Sequence, residues 1–153
     1  MIYKIGGIKC LSPADTTDIG HVKHQEVVVM MGYPGSGKST IATTIFKDYA
    51  VMHGDVYKTP AKMIKAADGP AREGRSIVFD ATNSSREKRA LYVNFAKSLD
   101  LSVRCVHVAT GLEVSYARNK QREHPVPRIA YSVYTKHFEL PDESEGFELV
   151  TIE

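Results

Sequence analysis

Residues 26–40 read Glu-Val-Val-Val-Met-Met-Gly-Tyr-Pro-Gly-Ser-Gly-Lys-Ser-Thr, and this stretch decides the fold of the chain. It begins with an apolar run that is typical of a buried strand in a parallel sheet. The run leads directly into Gly-x-x-x-x-Gly-Lys-Ser, the signature of a phosphate-binding loop, or P-loop, and a helical pattern follows over residues 40–47. Strand, loop and helix therefore stand in the order that binding of a nucleoside triphosphate requires. The alternative, a glycine-rich turn with a lysine by chance, would not require a strand before the turn and a helix after it.

Each residue type in the loop has a chemical reason to be there. Gly35 and Gly37 allow consecutive backbone N–H groups to turn inward around an anion at a helix N-terminus. Lys38 supplies a positive charge for the β and γ phosphates, and the Ser39 hydroxyl is a ligand for a Mg²⁺ ion that bridges them. The residues predicted to contact ATP are Gly32, Pro34, Gly35, Ser36, Gly37, Lys38, Ser39 and Thr40.

Apolar and amphipathic segments alternate along the rest of the chain. Further strands are predicted at residues 50–52, 77–79, 103–108 and 147–152. Capping signals mark three helix starts, at Thr59-Pro60, Ser84-x-x-Glu87 and Thr110-x-x-Glu113. Strand and helix in repeated alternation predict an α/β fold, namely a three-layer sandwich of the P-loop NTPase type in which a parallel sheet carries helices on both faces.

The composition is that of an ordinary globular domain of 153 residues with a net charge of +2. No apolar stretch approaches the roughly 18 residues that a membrane-spanning helix needs, and the N-terminus has no secretory pattern. Cys10 and Cys105 lack the spacing of metal ligands. We predict an intracellular protein without a membrane partner, with an N-terminal extension or linker remnant over residues 1–25 and a P-loop domain over residues 26–153.

Two acidic residues follow predicted strands. Asp55 comes just after the second strand of the domain, and Asp80 closes the third. Because ligands of an open parallel sheet bind beyond the carboxyl ends of its strands, both are candidates for chemistry. Asp55 is suited to accept or orient the proton of an attacking hydroxyl, whereas Asp80 is suited to organise the Mg²⁺ shell with Ser39 or to face the acceptor. Alternatively, both aspartates simply begin turns or cap helices.

Basic residues provide a second set of candidates. Arg118 and Arg122 stand four residues apart on a predicted helix before a proline-containing segment, a pattern that fits a lid delivering positive charge to a transferring phosphoryl group. Lys58 begins a lysine stripe beside Asp55. Both sets are also compatible with solvated basic faces. His53 either contacts an acceptor or is a half-buried strand residue with a backbone partner.

Taken together, these motifs resemble the kinase domain of the polynucleotide kinase family. The likeness extends from about residue 26 to the C-terminus and depends on the whole set of motifs. They are the loop at residues 28–40, Asp55, Asp80-Ala81-Thr82-Asn83, Arg89-x-x-Tyr92-Val93, Arg118 with Arg122, Val126-Pro127, and Phe138-Glu139-x-Pro141 with Glu145-Gly146-Phe147.

The resemblance implies a P-loop kinase domain that transfers the γ-phosphate of ATP, with Mg²⁺, to the 5′-hydroxyl of a DNA or RNA end. It implies that Asp55 is the general base and that Lys38, Arg118 and Arg122 complete the catalytic set. The expected substrate contacts are Asp80, Thr82, Asn83, Arg89, Lys58 and His53, and the expected metal contacts are Ser39 and Asp80. A 3′-phosphatase or a ligase would be a separate partner, because residues 1–25 are too short to hold a phosphatase module.

The chain departs from the family in two places that affect the site. His53-Gly54 stands where the family often has Asn-Arg, and the lid segment after Arg122 is short. Two other functions therefore stay open. One is a small-molecule kinase acting on a nucleoside, a sugar or a nucleotide-sugar, as in zeta-toxin-like proteins, and the other is a nucleotide-dependent switch that phosphorylates no acceptor.

Overall fold

A seven-stranded sheet forms the centre of the computed structural model, which describes residues 3–5, 9–11, 19 and 22–152. In those residues the strands are β1 (Tyr3–Ile5), β2 (Lys9–Leu11), β3 (Glu26–Met31), β4 (Ala50–His53), β5 (Ile77–Asp80), β6 (Ser102–Val108) and β7 (Glu148–Ile152). The helices are α1 (Lys38–Thr44), α2 (Gly54–Tyr57), α3 (Pro60–Arg72), α4 (Arg86–Ser98), α5 (Leu112–Asn119) and α6 (Ile129–His137), with a short 3-10 helix at Glu143–Glu145.

The strand order is β2-β1-β7-β6-β3-β5-β4. Strands β7, β6, β3, β5 and β4 pair in parallel, whereas β1 pairs antiparallel with both β7 and β2. The five parallel strands are the ones that the sequence predicts. They place the loops after β3, β4, β5 and β6 at one edge, where the candidate residues lie. The two short strands within residues 1–25 pair beyond β7 and extend the sheet on the side opposite β4. The domain boundary after residue 25 stays a prediction.

Helices cover both faces of the parallel sheet. Strand β3 is wholly buried, and its side chains alternate between two apolar clusters. Val27, Val29 and Met31 pack with side chains from α3 and α4, whereas Val28 and Met30 pack with side chains from α1. The three-layer α/β fold is therefore confirmed. In the described part of the chain no helix combines the length and the apolar character needed to cross a membrane.

Two of the predicted helix starts differ in detail. The Thr59 side chain accepts a hydrogen bond from the backbone of Lys62 and Pro60 opens α3, as predicted. The cap of α4 is Ser85, which accepts from the backbone N–H of Lys88, and not Ser84. Ser84 is buried, and its carbonyl oxygen is used elsewhere in the fold. Helix α5 has no side-chain cap and ends at Asn119, before the predicted end at residue 122.

Candidate active site

The P-loop connects β3 to α1 and requires glycine at two positions. Gly35 and Gly37 adopt φ angles of 80° and 101°, a left-handed region that side chains disfavour. A Cβ atom on Gly35 would also collide with the carbonyl oxygen of Ser115 in α5. The loop is therefore packed directly against α5, and its glycines serve this close approach as well as the turn into α1.

Lys38 is buried at the start of α1 and is 8% exposed. Its Nζ donates a hydrogen bond to the carbonyl oxygen of Tyr33 at 3.2 Å. Burial lowers the pKa of Lys38 to about 8. The negative charge of Asp80 opposes this lowering, the positive charge of Arg122 adds to it, and the negative charge of Asp55 opposes it more weakly. These four charged groups therefore lie close enough to influence one another. An anion bound beside Lys38 would offset the cost of burying its charge.

Asp80 lies at the end of β5 and contacts the P-loop directly. Its Oδ2 accepts a hydrogen bond from Ser39 Oγ at 2.8 Å and lies 2.7 Å from His53 Nδ1. Its Oδ1 is buried and has no hydrogen-bond partner among the described residues. The structure thus brings together the two residues that the sequence assigns to a metal.

A magnesium ion fits this arrangement. Mg²⁺ in phosphoryl-transfer sites is held by one or two protein oxygens and completed by water and substrate phosphates, so it does not need an all-protein cage. The free oxygen of Asp80 and the hydroxyl of Ser39 supply hard ligands of that kind. In the described part of the chain no group of three or more histidine, cysteine, aspartate or glutamate residues is placed to hold a metal.

A cavity of about 350 Å³ opens at the carboxyl ends of β4 and β5, and we refer to it as the Asp55 cavity. Asp55, in the first turn of α2, is exposed and lines it together with Lys38. Other polar residues of its wall are Ser39, Lys58, Thr59, Asp80, Thr82, Asn83, Lys88 and Arg122. Asp55 and the P-loop lysine therefore face one shared space. Lys88 was not among the site residues expected from the sequence.

A second cavity of about 420 Å³ is lined mainly by the loop itself, and we refer to it as the P-loop cavity. It is lined by residues 35–41 together with Arg118 and Arg122. Lys38, Ser39 and Arg122 line both cavities. The predicted phosphate contacts from Gly35 to Thr40 thus form one wall, whereas Pro34 lines the Asp55 cavity. Gly32 lies behind the loop, where its N–H donates to the carbonyl of Thr82.

The two arginines reach the site in different ways. Arg118, in the last turn of α5, donates from Nη1 to the carbonyl oxygen of Ser36 at 3.3 Å. Arg122 lies beyond the end of α5, in a turn closed by its N–H and the carbonyl of Asn119. The prediction that one continuous helix carries both is therefore wrong, because the helix ends between them. The turn nevertheless brings Arg122 to the junction of the two cavities.

The segment from α5 to α6 is attached to the P-loop through residues that sequence analysis missed. Buried Asn119 donates from Nδ2 to the carbonyl of Val126 at 2.8 Å and accepts from its N–H at 2.9 Å, which closes the connection between the two helices. Tyr131 of α6 donates to the carbonyl of Pro34 at 2.6 Å, and Thr110 donates to that of Ser36 at 2.8 Å. The capping box predicted at Thr110 is therefore wrong, since its hydroxyl is used in this contact.

Arg89 does not reach either cavity. It is fully buried and forms an ion pair with Glu145, in which Nε lies 3.0 Å from Oε1. Its other N–H groups donate to the carbonyl oxygens of Asn83, Ser84 and Glu139 at 2.9 to 3.0 Å. Its donors are thus occupied within the fold. This corrects the sequence-based placement of Arg89 in the acceptor network, and the residue instead joins α4 to the turns on either side of it.

Two other expected substrate contacts also bond to the protein itself. His53 is not among the residues that line the Asp55 cavity. Its ring lies against Asp80, and its role as an acceptor contact stays a prediction. Asn83, in a left-handed conformation with φ of 46°, donates from Nδ2 to the carbonyl of Met30 at 2.7 Å. Asn83 and Thr82 do lie on the cavity wall, although the amide of Asn83 is already engaged, and their contact with substrate stays a prediction.

Comparison with known proteins identifies the family of this chain. Residues 56–141 match the model of a family described as AAA domain, and the match covers more than half of the chain. The chain belongs to the AAA domain family. This AAA domain has the P-loop NTPase fold, as shown by a sugar kinase from Janibacter sp. HTCC2649 that is 21% identical with a TM-score of 0.61, over 83% of this chain and 85% of that one.

The resemblance to polynucleotide kinases is confirmed by two curated relatives of this AAA domain. A bifunctional polynucleotide phosphatase/kinase from Schizosaccharomyces pombe is 33% identical over 82% of this chain. A putative bifunctional polynucleotide phosphatase/kinase from Acanthamoeba polyphaga mimivirus is 30% identical over 97% of it. The chain matches only 32% and 39% of the lengths of these two proteins.

Proposed function

We propose that this chain is an ATP-dependent polynucleotide kinase that transfers the γ-phosphate of ATP to the 5′-hydroxyl of a DNA or RNA end. The observation that carries the proposal is the meeting of two cavities at Lys38, Ser39 and Arg122, with the carboxylate of Asp55 on the far side. A triphosphate in the P-loop cavity would present its terminal group to the Asp55 cavity. The acceptor hydroxyl would then approach from the side of Asp55.

On the donor side, the P-loop and Lys38 would bind the β and γ phosphates, and Ser39 with Asp80 would hold Mg²⁺. The bound ion would neutralise charge on the phosphate oxygens. Arg118 and Arg122 would add positive charge to the transferring group from the opposite wall. Because Arg118 is bonded to the loop at Ser36, this cation needs little reorganisation during transfer.

On the acceptor side, Asp55 would accept the proton of the attacking hydroxyl. It stands in the first turn of α2 and is exposed on the cavity, so a hydroxyl bound there can reach its carboxylate. Phosphoryl transfer mainly needs the nucleophile to be held in line, and a carboxylate hydrogen-bonded to the hydroxyl achieves this orientation. A nucleotide-dependent switch would have no use for an acceptor-side base, so replacement of Asp55 distinguishes the two functions.

The charge of the Asp55 cavity supports a polynucleotide acceptor. Lys58, at the C-terminal end of α2, and Lys88, in the first turn of α4, both line the cavity and are exposed. Neither takes part in an ion pair with another described residue. A cation in the first turn of a helix is electrostatically unfavourable, so Lys88 is better explained by an anionic ligand. Phosphodiester groups next to the 5′ end would supply that charge. The names of the two relatives also indicate action on a polynucleotide.

A small-molecule kinase is the second candidate, because a cavity of about 350 Å³ also accommodates a single sugar or nucleoside. The deciding experiment measures transfer from labelled ATP to 5′-hydroxyl DNA and RNA oligonucleotides, free nucleosides and neutral sugars. We expect kcat/KM to be highest for an oligonucleotide. Higher kcat/KM for a nucleoside or a sugar would overturn the proposal in favour of the small-molecule kinase.

The same assay run over a range of salt concentrations tests the lysines. Binding of a polynucleotide releases counterions, so log kcat/KM should fall linearly with log salt for the wild-type protein. Lys88→Ala should reduce that slope by about one, the amount expected for one lost phosphate contact. Lys65→Ala is the matched control, because Lys65 is exposed on α3 outside the cavity. An unchanged slope in Lys88→Ala would remove Lys88 from the acceptor site.

Replacement of the arginines should affect the transition state more than the ground state. We expect Arg122→Ala to lower kcat about 100-fold with little change in the Kd for ATP, because its contacts strengthen as charge builds on the transferring group. Arg118→Ala should do the same, with some loss of loop order since Arg118 also bonds to Ser36. Arg75→Ala, at an exposed position outside both cavities, serves as the control. Equal losses in ATP affinity and in kcat would contradict this role.

A further inference from the structure

The imidazole of His53 and the carboxylate of Asp80 are brought together by the sheet itself. Strands β4 and β5 pair in parallel with His53 directly opposite Asp80 in the register. The turn after His53 is tight, because a Cβ on Gly54 would lie 3.0 Å from the Cβ of Ala81 and 3.3 Å from the carbonyl oxygen of Asp80. The backbone positions of the pair are therefore held closely by the strand register and by this tight turn.

The contact between the two side chains is short and uses only one of the two carboxylate oxygens. His53 Nδ1 lies 2.7 Å from Asp80 Oδ2, and the side chains are 32% and 3% exposed respectively. An ionised carboxylate has only acceptors, so the ring nitrogen is the donor. The same oxygen accepts from Ser39, whereas Oδ1 is buried without a partner. Two donors converge on one oxygen and leave the other oxygen free.

We infer that His53 is a positioning residue that holds the Asp80 carboxylate in the orientation needed to receive Mg²⁺ with bound ATP. With Ser39 as the sole partner, the carboxylate could rotate about its Cβ–Cγ bond and exchange its two oxygens. The bond from His53 removes that freedom. Outer partners of this kind orient the groups that contact a metal and influence its affinity. The inference depends on the proposed ATP and Mg²⁺ site but not on the identity of the acceptor.

The test measures how strongly Mg²⁺ strengthens nucleotide binding. A non-hydrolysable ATP analogue is titrated calorimetrically into the protein with saturating Mg²⁺ and again in EDTA, and the ratio of the two affinities is the Mg²⁺ coupling. We expect His53→Ala to reduce this ratio about tenfold while affinity in EDTA stays the same. His53→Asn should retain most of the coupling, because its amide nitrogen occupies the place of Nδ1 and donates to Asp80.

His53→Gln is the discriminating partner of His53→Asn. Both variants are uncharged and hydrogen-bonding, but the glutamine amide corresponds to Nε2 and cannot donate from the Nδ1 position, so the coupling should be lost. This comparison also separates positioning from stability, since a purely structural histidine would shift the unfolding temperature without changing the coupling. His137→Gln, at an exposed position on α6, is the matched control.

The outcomes distinguish failure of the role of His53 from failure of the proposed Mg²⁺ site. If the wild-type protein shows coupling and His53→Ala and His53→Gln keep it, the positioning role of His53 is overturned and the kinase proposal is untouched. If the wild-type protein itself shows no coupling, the proposed Mg²⁺ site fails and this inference fails with it. Loss of coupling in His53→Asn equal to that in His53→Gln would also contradict a role for the Nδ1 donor.

Discussion

Asp55→Ala is expected to lower kcat for transfer to an oligonucleotide by about 100-fold to 10,000-fold, the range that a positioned general base contributes. The Kd for ATP should stay within about twofold, because Asp55 stands on the acceptor side of the shared space and the P-loop cavity is lined by other residues. Single-turnover transfer and calorimetric ATP binding on the same preparation measure both quantities.

Asp48→Ala is the control for Asp55→Ala, since Asp48 is an exposed carboxylate that lines neither cavity. Asp55→Asn keeps the size of the side chain and should show a similar loss, because the amide cannot take up the proton. Full transfer activity in either Asp55 variant would contradict the assignment of the base. It would favour a nucleotide-dependent switch if Lys38 were still essential.

Lys38→Ala is expected to lower kcat/KM by about 100-fold to 1,000-fold, the effect of removing one preorganised electrostatic contact to the transferring group. Unlike Asp55→Ala, it should also weaken ATP binding, because the ammonium group lies on the wall of the P-loop cavity. The buried side chain makes one hydrogen bond to the loop backbone, at Tyr33, so the fold should tolerate its loss. The same two measurements apply, together with a thermal unfolding curve.

Lys47→Ala controls for the loss of one positive charge near α1, because Lys47 is exposed and outside both cavities. The contrast between Lys38 and Asp55 is the informative result. A lysine on the donor side should affect both binding and transfer, whereas an aspartate on the acceptor side should affect transfer alone. Unchanged ATP affinity in Lys38→Ala would mean that the triphosphate does not occupy the P-loop cavity.

Residues that follow strands were the most predictable part of the site. The meeting of Ser39 with Asp80, and of Lys38 with Asp55 on one cavity, follows from the rule that parallel strands bring their carboxyl ends to one edge. The positions of those residues in the chain were sufficient to predict that they meet, because strand pairing in the sheet brings them to the same edge. The roles of these side chains in catalysis stay predictions.

Residues on helices and in turns were less predictable. Arg89 and Lys88 are neighbours on α4, yet one is fully buried and the other is exposed on the cavity. Adjacent helical positions point about 100° apart, and which of them faces inward depends on how the helix packs. Asn119 was not predicted either, because its role is to form two hydrogen bonds with the backbone of Val126, and that contact depends on how the chain folds back after α5.

The sequence alone determined the P-loop, the α/β fold and the two acids at strand ends, because these depend on local backbone demands and on a regular alternation of apolar residues. Tertiary structure decided which cations reach the site, that Arg89 is internal and that His53 faces Asp80. Those outcomes depend on helix ends, strand register and competition between donors for a few buried oxygens. Such competition is settled only once distant segments have packed, since most buried polar groups find their partners within the fold.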